Sequence, residues 1–459
     1  MNRFAPVAAS LLLGALSSPA VPQPLATAPL SAEVAQFVTT RAPVLALENV
    51  RVIDGTGAPA RQNQTILIID GRIAAIGRAG RVAIPAGAER HDLTGRTVLP
   101  GLVMVHEHMM YFSGQRVWHS QPVSYPRLFL AAGVTTVRTA GGDFPYVDLN
   151  LASRIEAGRI AGPRMFVTSP NLNGADDSFI GDNIVRNAEE ARREIDYWAS
   201  RGATSFKLYV SIGPEVAAAL IERAHSHRLP VTAHLGRTSC AQAAQLGIDN
   251  IEHSFVACLP ELGMRIGEDG QLTGAIAPDR ARDLIRLLVS RGVVLTSTPI
   301  SLDPISEEVR SLLHPTALAN WETGRGRPPP GLLAAETHVR ALERQFLRAG
   351  GRLVIGGDAE NFGRIAGFAN HRALELLAAA GHRPLDILRM ATLEGARLLG
   401  IDRETGSIAP GKLADLIVVA GDPAVNMSDI RRVEQVFRRG VGYDPVRLRE
   451  SVRGLVGWH

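Results

Sequence analysis

Two periodicities divide this chain. At the ends, apolar and polar positions alternate with the period of two expected of half-buried strands. Leu45-Ala46-Leu47-Glu48-Asn49-Val50-Arg51-Val52-Ile53-Asp54 reads as a strand stopped by the turn Gly55-Thr56-Gly57, and Gln64 to Ile69, Asp70-Gly71 and Arg72 to Gly77 read as a hairpin. The runs Gly406 to Val419 and Val433 to Gly440 have the same character. Residues 44–97 and 404–450 are therefore expected to form one small β-sandwich domain from both chain ends. In the centre, strand-like and helix-like runs alternate. Eight strand candidates are 98–105, 134–139, 164–169, 205–210, 230–233, 250–252, 293–298 and 352–356. Helical patterns fall at Ala188 to Ser200, Pro214 to His227 and Arg280 to Arg291, and Gly133, Gly202, Gly247, Gly292 and Gly351 stand just before strands, where helices end. Eight strands with helical crossovers predict an α/β fold, a closed (β/α)8 TIM-like barrel over residues 98–403. No GxGxxG signature supports an open doubly wound sheet instead.

The first residues break both patterns. Met1-Asn2-Arg3 is a positive start, Phe4 to Leu16 a short apolar run, and Ser17-Ser18-Pro19-Ala20 a small-residue stretch. This reads as a signal peptide over 1–20, with export to a bacterial periplasm, and the run is too short for a transmembrane helix. Residues 21–43, rich in Pro and Ala, read as an extended lead-in, and 259–330 is long enough for a lid insertion. Composition adds limits. The 459 residues are 46% hydrophobic and 20% charged with a net charge of +4, a globular balance without a Lys/Arg block, which argues against nucleic-acid binding and stable membrane insertion. The two cysteines, Cys240 and Cys258, could pair in an oxidising compartment, but the simpler reading is two isolated buried thiols. No coiled-coil stripe shows an oligomer.

The chemistry lies at the ends of the central strands. His106 and His108, one residue apart on the first strand, point to the same face and can share a metal ion. Lys207 interrupts the apolar fourth strand, His234 ends the fifth, His253 the sixth and Asp358 the eighth. In a barrel these ends form the site face. Singly, Lys207 could reach to the rim, His234 could be a hydrogen-bonded core histidine and Asp358 a helix cap. Tyr209, two residues beyond Lys207, is a candidate substrate contact, with Tyr111, His119 and Arg138 weaker ones.

HxH, Lys, His, His and Asp on strands one, four, five, six and eight resemble the amidohydrolase superfamily, specifically its binuclear imidazolonepropionase-like and Xaa-Pro dipeptidase-like members. The closing Gly406 to Val419 run, with Gly411-Lys412 and Ala414-Asp415-Leu416, is also similar to that family. Two departures stand out: Met104 occupies a position usually acidic, and Gly357 one usually Thr. The resemblance implies two divalent metal ions, most simply Zn2+. It places His106, His108 and Asp358 on one ion, His234 and His253 on the other, and Lys207, carboxylated by CO2, between them. It implies hydrolysis of an amide or peptide-like C–N bond by a metal-bridged hydroxide, with Asp358 as catalytic proton shuttle. A dipeptide or N-acyl amino acid would be the small-molecule partner, and a homo-oligomer fits the resemblance. An ester or lactone hydrolase, a mononuclear cyclic-amide hydrolase or deaminase, and an inactive scaffold remain as rivals. The presence of Lys207, and Leu235-Gly236-Arg237 after His234, argue against the mononuclear reading.

Overall fold

A computed structural model describes residues 29–112, 118–176, 182–323, 328–360 and 363–457. The expected signal peptide and part of the lead-in lie outside the described residues. Eight parallel strands form the centre: β1 (Leu102–Glu107), β2 (Val134–Thr139), β3 in two segments (Arg164–Phe166 and Thr168–Asn173), β4 (Ser205–Leu208), β5 (Val231–Ala233), β6 (Asn250–Ile251), β7 (Val294–Ser297) and β8 (Arg352–Ile355). Each pairs in parallel with the next, from β1 through β8. The third strand changes partner at its break, its first segment pairing β2 and its second β4. β8 returns beside β1, where the Asp358 N–H donates to the His106 carbonyl at 3.0 Å. The result is a TIM-barrel-like fold.

The crossover helices follow their apolar spacing. In Pro278–Ser290 the buried residues are Ala281, Leu284, Ile285 and Leu288, one face at helical period. Asn187 caps Ala188–Arg201 by accepting from the Glu189 and Glu190 N–H groups, and Gly202 ends it in the left-handed region at φ 98°. Gly350, rather than Gly351, takes the left-handed turn before β8.

Both chain ends meet in one nine-stranded sheet. Its order is Val38–Thr40, Val441–Tyr443, Val433–Arg438, Leu416–Ala420, Arg96–Pro100, Val44–Val52, Arg61–Ile69 and Arg72–Arg78, with Glu89–Asp92 added beside Val44–Val52. Leu45, Ile66 and Ile73 from one part share a core with Leu416, Val418 and Phe437 from the other.

Several expectations need correction. The run 98–105 is two strands: Arg96–Pro100 belongs to the end sheet and only Leu102–Glu107 to the barrel. Gly101 makes the corner, and a Cβ there would lie 2.2 Å from Thr135 Oγ1. The lead-in is not simply extended, because burial of Val34 and Phe37 docks a helical turn, Ala32–Ala35, and the strand Val38–Thr40. Residues 259–330 are not one insertion: Pro278–Ser290 and β7 are regular barrel elements. Cys240 and Cys258 are joined by a disulfide. Folding carries the helix after β5 and the turn after β6 together, a juxtaposition that a separation of 18 in sequence does not reveal. No helix among the described residues is long and apolar enough to cross a membrane.

His371, in the helix Phe368–Ala379, hydrogen-bonds the Ala132 carbonyl through Nε2 at 2.8 Å. Burial holds its pKa down at about 4. The folded chain therefore keeps His371 neutral while the unfolded chain takes up a proton near pH 6.5. Stability is expected to fall as pH drops from 6.5 toward 4, by an order of 3 kcal/mol from this group. Urea midpoints between pH 7.5 and 4.5 should decline less steeply in His371→Gln than in the native chain. Equal slopes would refute this origin of acid sensitivity.

Candidate active site

β1 presents its side chains alternately, so His106 and His108 enter one cavity while Glu107 turns to the other side. His106 Nε2 and His108 Nε2 lie 3.5 and 3.4 Å from Asp358 Oδ1. These three residues bring ligand atoms within 4.8 Å of one another. His253 stacks at an angle against both His106 and His234, with ring centroids 4.6 and 4.5 Å apart. Lys207, 1% exposed, completes the set in a cavity of about 370 Å³. All six residues expected to bind metal line it. His253 and Asp358 have φ of 55° and 49°, a backbone conformation uncommon for such residues and often retained at functional sites.

The outer atoms of these candidate ligands are fixed by buried neighbours. His106 Nδ1 donates to Glu252 Oε2 at 2.7 Å, and His108 Nδ1 to the Gly141 carbonyl at 3.0 Å. A carboxylate and a carbonyl only accept, so each ring holds a proton on Nδ1 and turns Nε2 to the cavity. His253 Nδ1 meets Thr298 Oγ1 at 2.8 Å. Glu252 also accepts from Arg138 and Thr232, and Arg138 donates to the Val105 carbonyl at 2.7 Å and Asn250 Oδ1 at 2.8 Å. On the far side of β1, Glu107 Oε1 accepts from Gly357 N–H at 2.7 Å and Asn370 Nδ2 at 2.6 Å. Asp358 is held by Arg364, whose Nη2 lies 3.1 Å from Oδ2.

Charge states follow these contacts. Burial would raise the Asp358 pKa, but Arg364 and His106 outweigh it and hold the carboxyl well below its usual range. Burial, then Lys207 and His106, drives His234 down to about 3. Burial also opposes charge on His108, yet Glu360 and Asp358 prevail and lift it to about 9. Burial lowers the Lys207 pKa. Its ammonium has no hydrogen bond or ion pair among the described residues, an unfavourable state for a buried cation.

This donor set fits divalent metal ions. It offers four imidazoles and a carboxylate converging on one cavity, two of the imidazoles oriented through Nδ1, and a proton drawn onto His108 that a cation could replace.

Of the weaker candidates, Tyr209 lines the cavity, its ring 5.2 Å from that of His234. Arg138 does not: it is 2% exposed and acts behind His106, with its guanidinium on Glu252. Tyr111 and His119 face each other across a small antiparallel pair, Met110–Phe112 with Trp118–Ser120. There Met110 and Trp118 line the cavity instead, as strand alternation requires. A larger cavity, about 640 Å³, opens at the opposite end of the barrel beside Ser205, Val231 and Asn250, and contains none of the six ligands.

The sequence reading missed Glu252, Glu107, Arg364 and Asn370. Glu252 was accessible to it: a carboxylate inside a strand, directly before His253, asks for a buried partner. Arg364 and Asn370 reach the site only through the return of the chain after β8.

Residues 97–441 match the amidohydrolase family. The 5-methylthioadenosine/S-adenosylhomocysteine deaminase of Syntrophobacter fumaroxidans is 28% identical over 388 residues, covering 77% of this chain and 79% of that relative. The enamidase of Eubacterium barkeri is 26% identical over 369 residues, covering 79% and 82%. Among solved structures, a Xaa-Pro dipeptidase with bound methionine aligns with a TM-score of 0.67 at 20% identity, over 87% of this chain and 100% of the other.

Two predictions follow from the supports of β1. Glu252→Gln should weaken metal binding by about 10–100-fold and, by leaving Arg138 unpaired, lower stability by about 3–5 kcal/mol. Chelator competition and urea unfolding measure the two effects, and unchanged metal affinity would refute the orienting role. Gly357→Thr should cost about 1–3 kcal/mol, because a Cβ there would lie 2.5 Å from Asn370 Nδ2. Adding Asn370→Ala should recover part of that loss, whereas simple addition of the two costs would exclude the steric clash.

Proposed function

This chain belongs to the amidohydrolase family, and from that premise we propose that its cavity holds two divalent metal ions and hydrolyses an amide or peptide-like bond of a small molecule. It is a hydrolase of carbon–nitrogen bonds. His106, His108 and Asp358 would hold one ion and His234 and His253 the other, with carboxylated Lys207 between them. Such ions supply an acidified water near neutral pH and polarise the scissile carbonyl. The observation that carries this reading is the convergence of four histidines and Asp358 around Lys207, a buried ammonium with no hydrogen bond or ion pair among the described residues.

The protein's own groups account for the rest. Asp358, oriented by Arg364, takes a proton from the attacking water and passes it to the nitrogen as the C–N bond breaks, giving a carboxylate and an amine. Arg364 keeps the resting carboxyl ionised, so it is ready to accept. Tyr209 stands beside His234, placed to meet the substrate carbonyl or a nearby polar group. Lys207 favours this binuclear reading over a mononuclear ring-opening hydrolase or deaminase. Export is part of the same proposal: the Cys240–Cys258 disulfide suits an oxidising compartment and supports the amino-terminal reading.

Protein purified without chelator is expected to contain about two metal ions per chain and to cleave members of a dipeptide and N-acyl amino acid panel. Lys207→Ala should lose metal and at least about 100-fold in kcat/KM. One ion per chain, with Lys207→Ala still active, would overturn the binuclear assignment. Cleavage of esters and lactones with every amide left intact would overturn the C–N assignment.

A further inference from the structure

Besides Glu336, three carboxylates in the cavity have no part in the chemistry above. Asp143 follows β2, Asp182 follows β3 and Glu360 follows β8, so three separate loops carry acids to one cavity. Their closeness shows in Asp143, which burial, then Asp182 and Glu360, push up to about 6. Of the other charges lining the cavity, Arg364 holds Asp358, and Glu336 lies 3.5 Å from Arg340. Asp182 accepts from the neutral amide of Asn173 at 2.8 Å, Glu360 lies 3.6 Å from His108, and Asp143 has no hydrogen bond or ion pair among the described residues. A second feature points to a polar occupant. Asn171, 9% exposed, lines the same cavity with its side-chain oxygen unpartnered. Much of the remaining lining is apolar, from Val256, Ile300 and Leu332.

We propose that Asp143, Asp182 and Glu360 are specificity-determining residues that select substrates bearing a cationic amine close to the scissile bond. A free α-amino group meets three acids there, whereas a carboxylate in the same place meets like charge. Among C–N substrates the site then favours a free-amine peptide over an N-acyl amino acid, whose only charge is negative. This rests on the C–N reading, but selection by charge does not require that bond type.

The test is a matched set on the metal-loaded enzyme: alanyl, propionyl and succinyl p-nitroanilides, which share the scissile bond and differ in charge, with the corresponding p-nitrophenyl esters. The alanyl anilide should exceed the propionyl one in kcat/KM by about tenfold or more, with the succinyl one slowest. Asp143→Asn should collapse that ratio through the KM of the alanyl substrate, at unchanged metal content. Equal or faster cleavage of the succinyl anilide would overturn charge selection and leave the C–N reading intact. So would an Asp143→Asn variant that lost kcat for all three alike. Cleavage of the esters alone, alanyl first, would overturn the C–N reading and support charge selection. If nothing is cleaved, calorimetric binding of alaninamide, propionamide and succinamate decides, and any order but alaninamide first overturns the proposal.

Discussion

The Glu252 carboxylate is completely buried and is shared by His106, Arg138 and Thr232. These partners lie on β1, β2 and β5, while Glu252 itself directly follows β6, so one charge ties four barrel strands together beneath the cavity. Burial works against that charge, and Arg138 and His106 more than offset it, holding the carboxyl well below its usual range. The pairing is strong because it is closed: each acid oxygen has a donor, and Arg138 spends its other contacts on a carbonyl and Asn250. What this network fixes is the direction in which the His106 ring faces the cavity.

β1 is secured on its other face by an independent device. Glu107 joins Gly357 and Asn370, which lie on either side of the loop carrying Asp358. The same strand thereby sets two histidines and, through its middle residue, the loop of the carboxylate opposite them. Burial pushes Glu107 up to about 8, so this contact is tolerated as a near-neutral acid where Glu252 is retained as an ion. Two glutamates of similar burial thus do different work because only one has an arginine.

The barrel was legible because its signals are local. Alternation along His106-Glu107-His108, helical spacing in 281–288 and glycines before strands need no knowledge of distant partners, and strand ends mark the candidate residues once a barrel is assumed, while their ligand roles come from the family resemblance. What escaped depends on chain return. Arg138 has the same composition whether it faces a cavity or Glu252, and only the packing of β2 against β1 and β6 decides between them. The Cys240–Cys258 pairing and the docking of Val34 and Phe37 are of the same kind: short, weakly periodic stretches whose structure is imposed by contacts far along the chain.

The two departures from the family pattern can be read against these supports. Met104 is buried in the barrel core, in the place where an acid is usual, while the buried charge that orients His106 comes from Glu252 on a neighbouring element. Gly357 leaves the space into which Asn370 extends its amide to Glu107. A threonine could occupy that space or Asn370 could, and here the asparagine does, carrying the hydrogen bond across from the next helix. Replacing one residue in such a motif therefore shifts where the support comes from, and the direction in which the histidines and Asp358 face is maintained by different atoms.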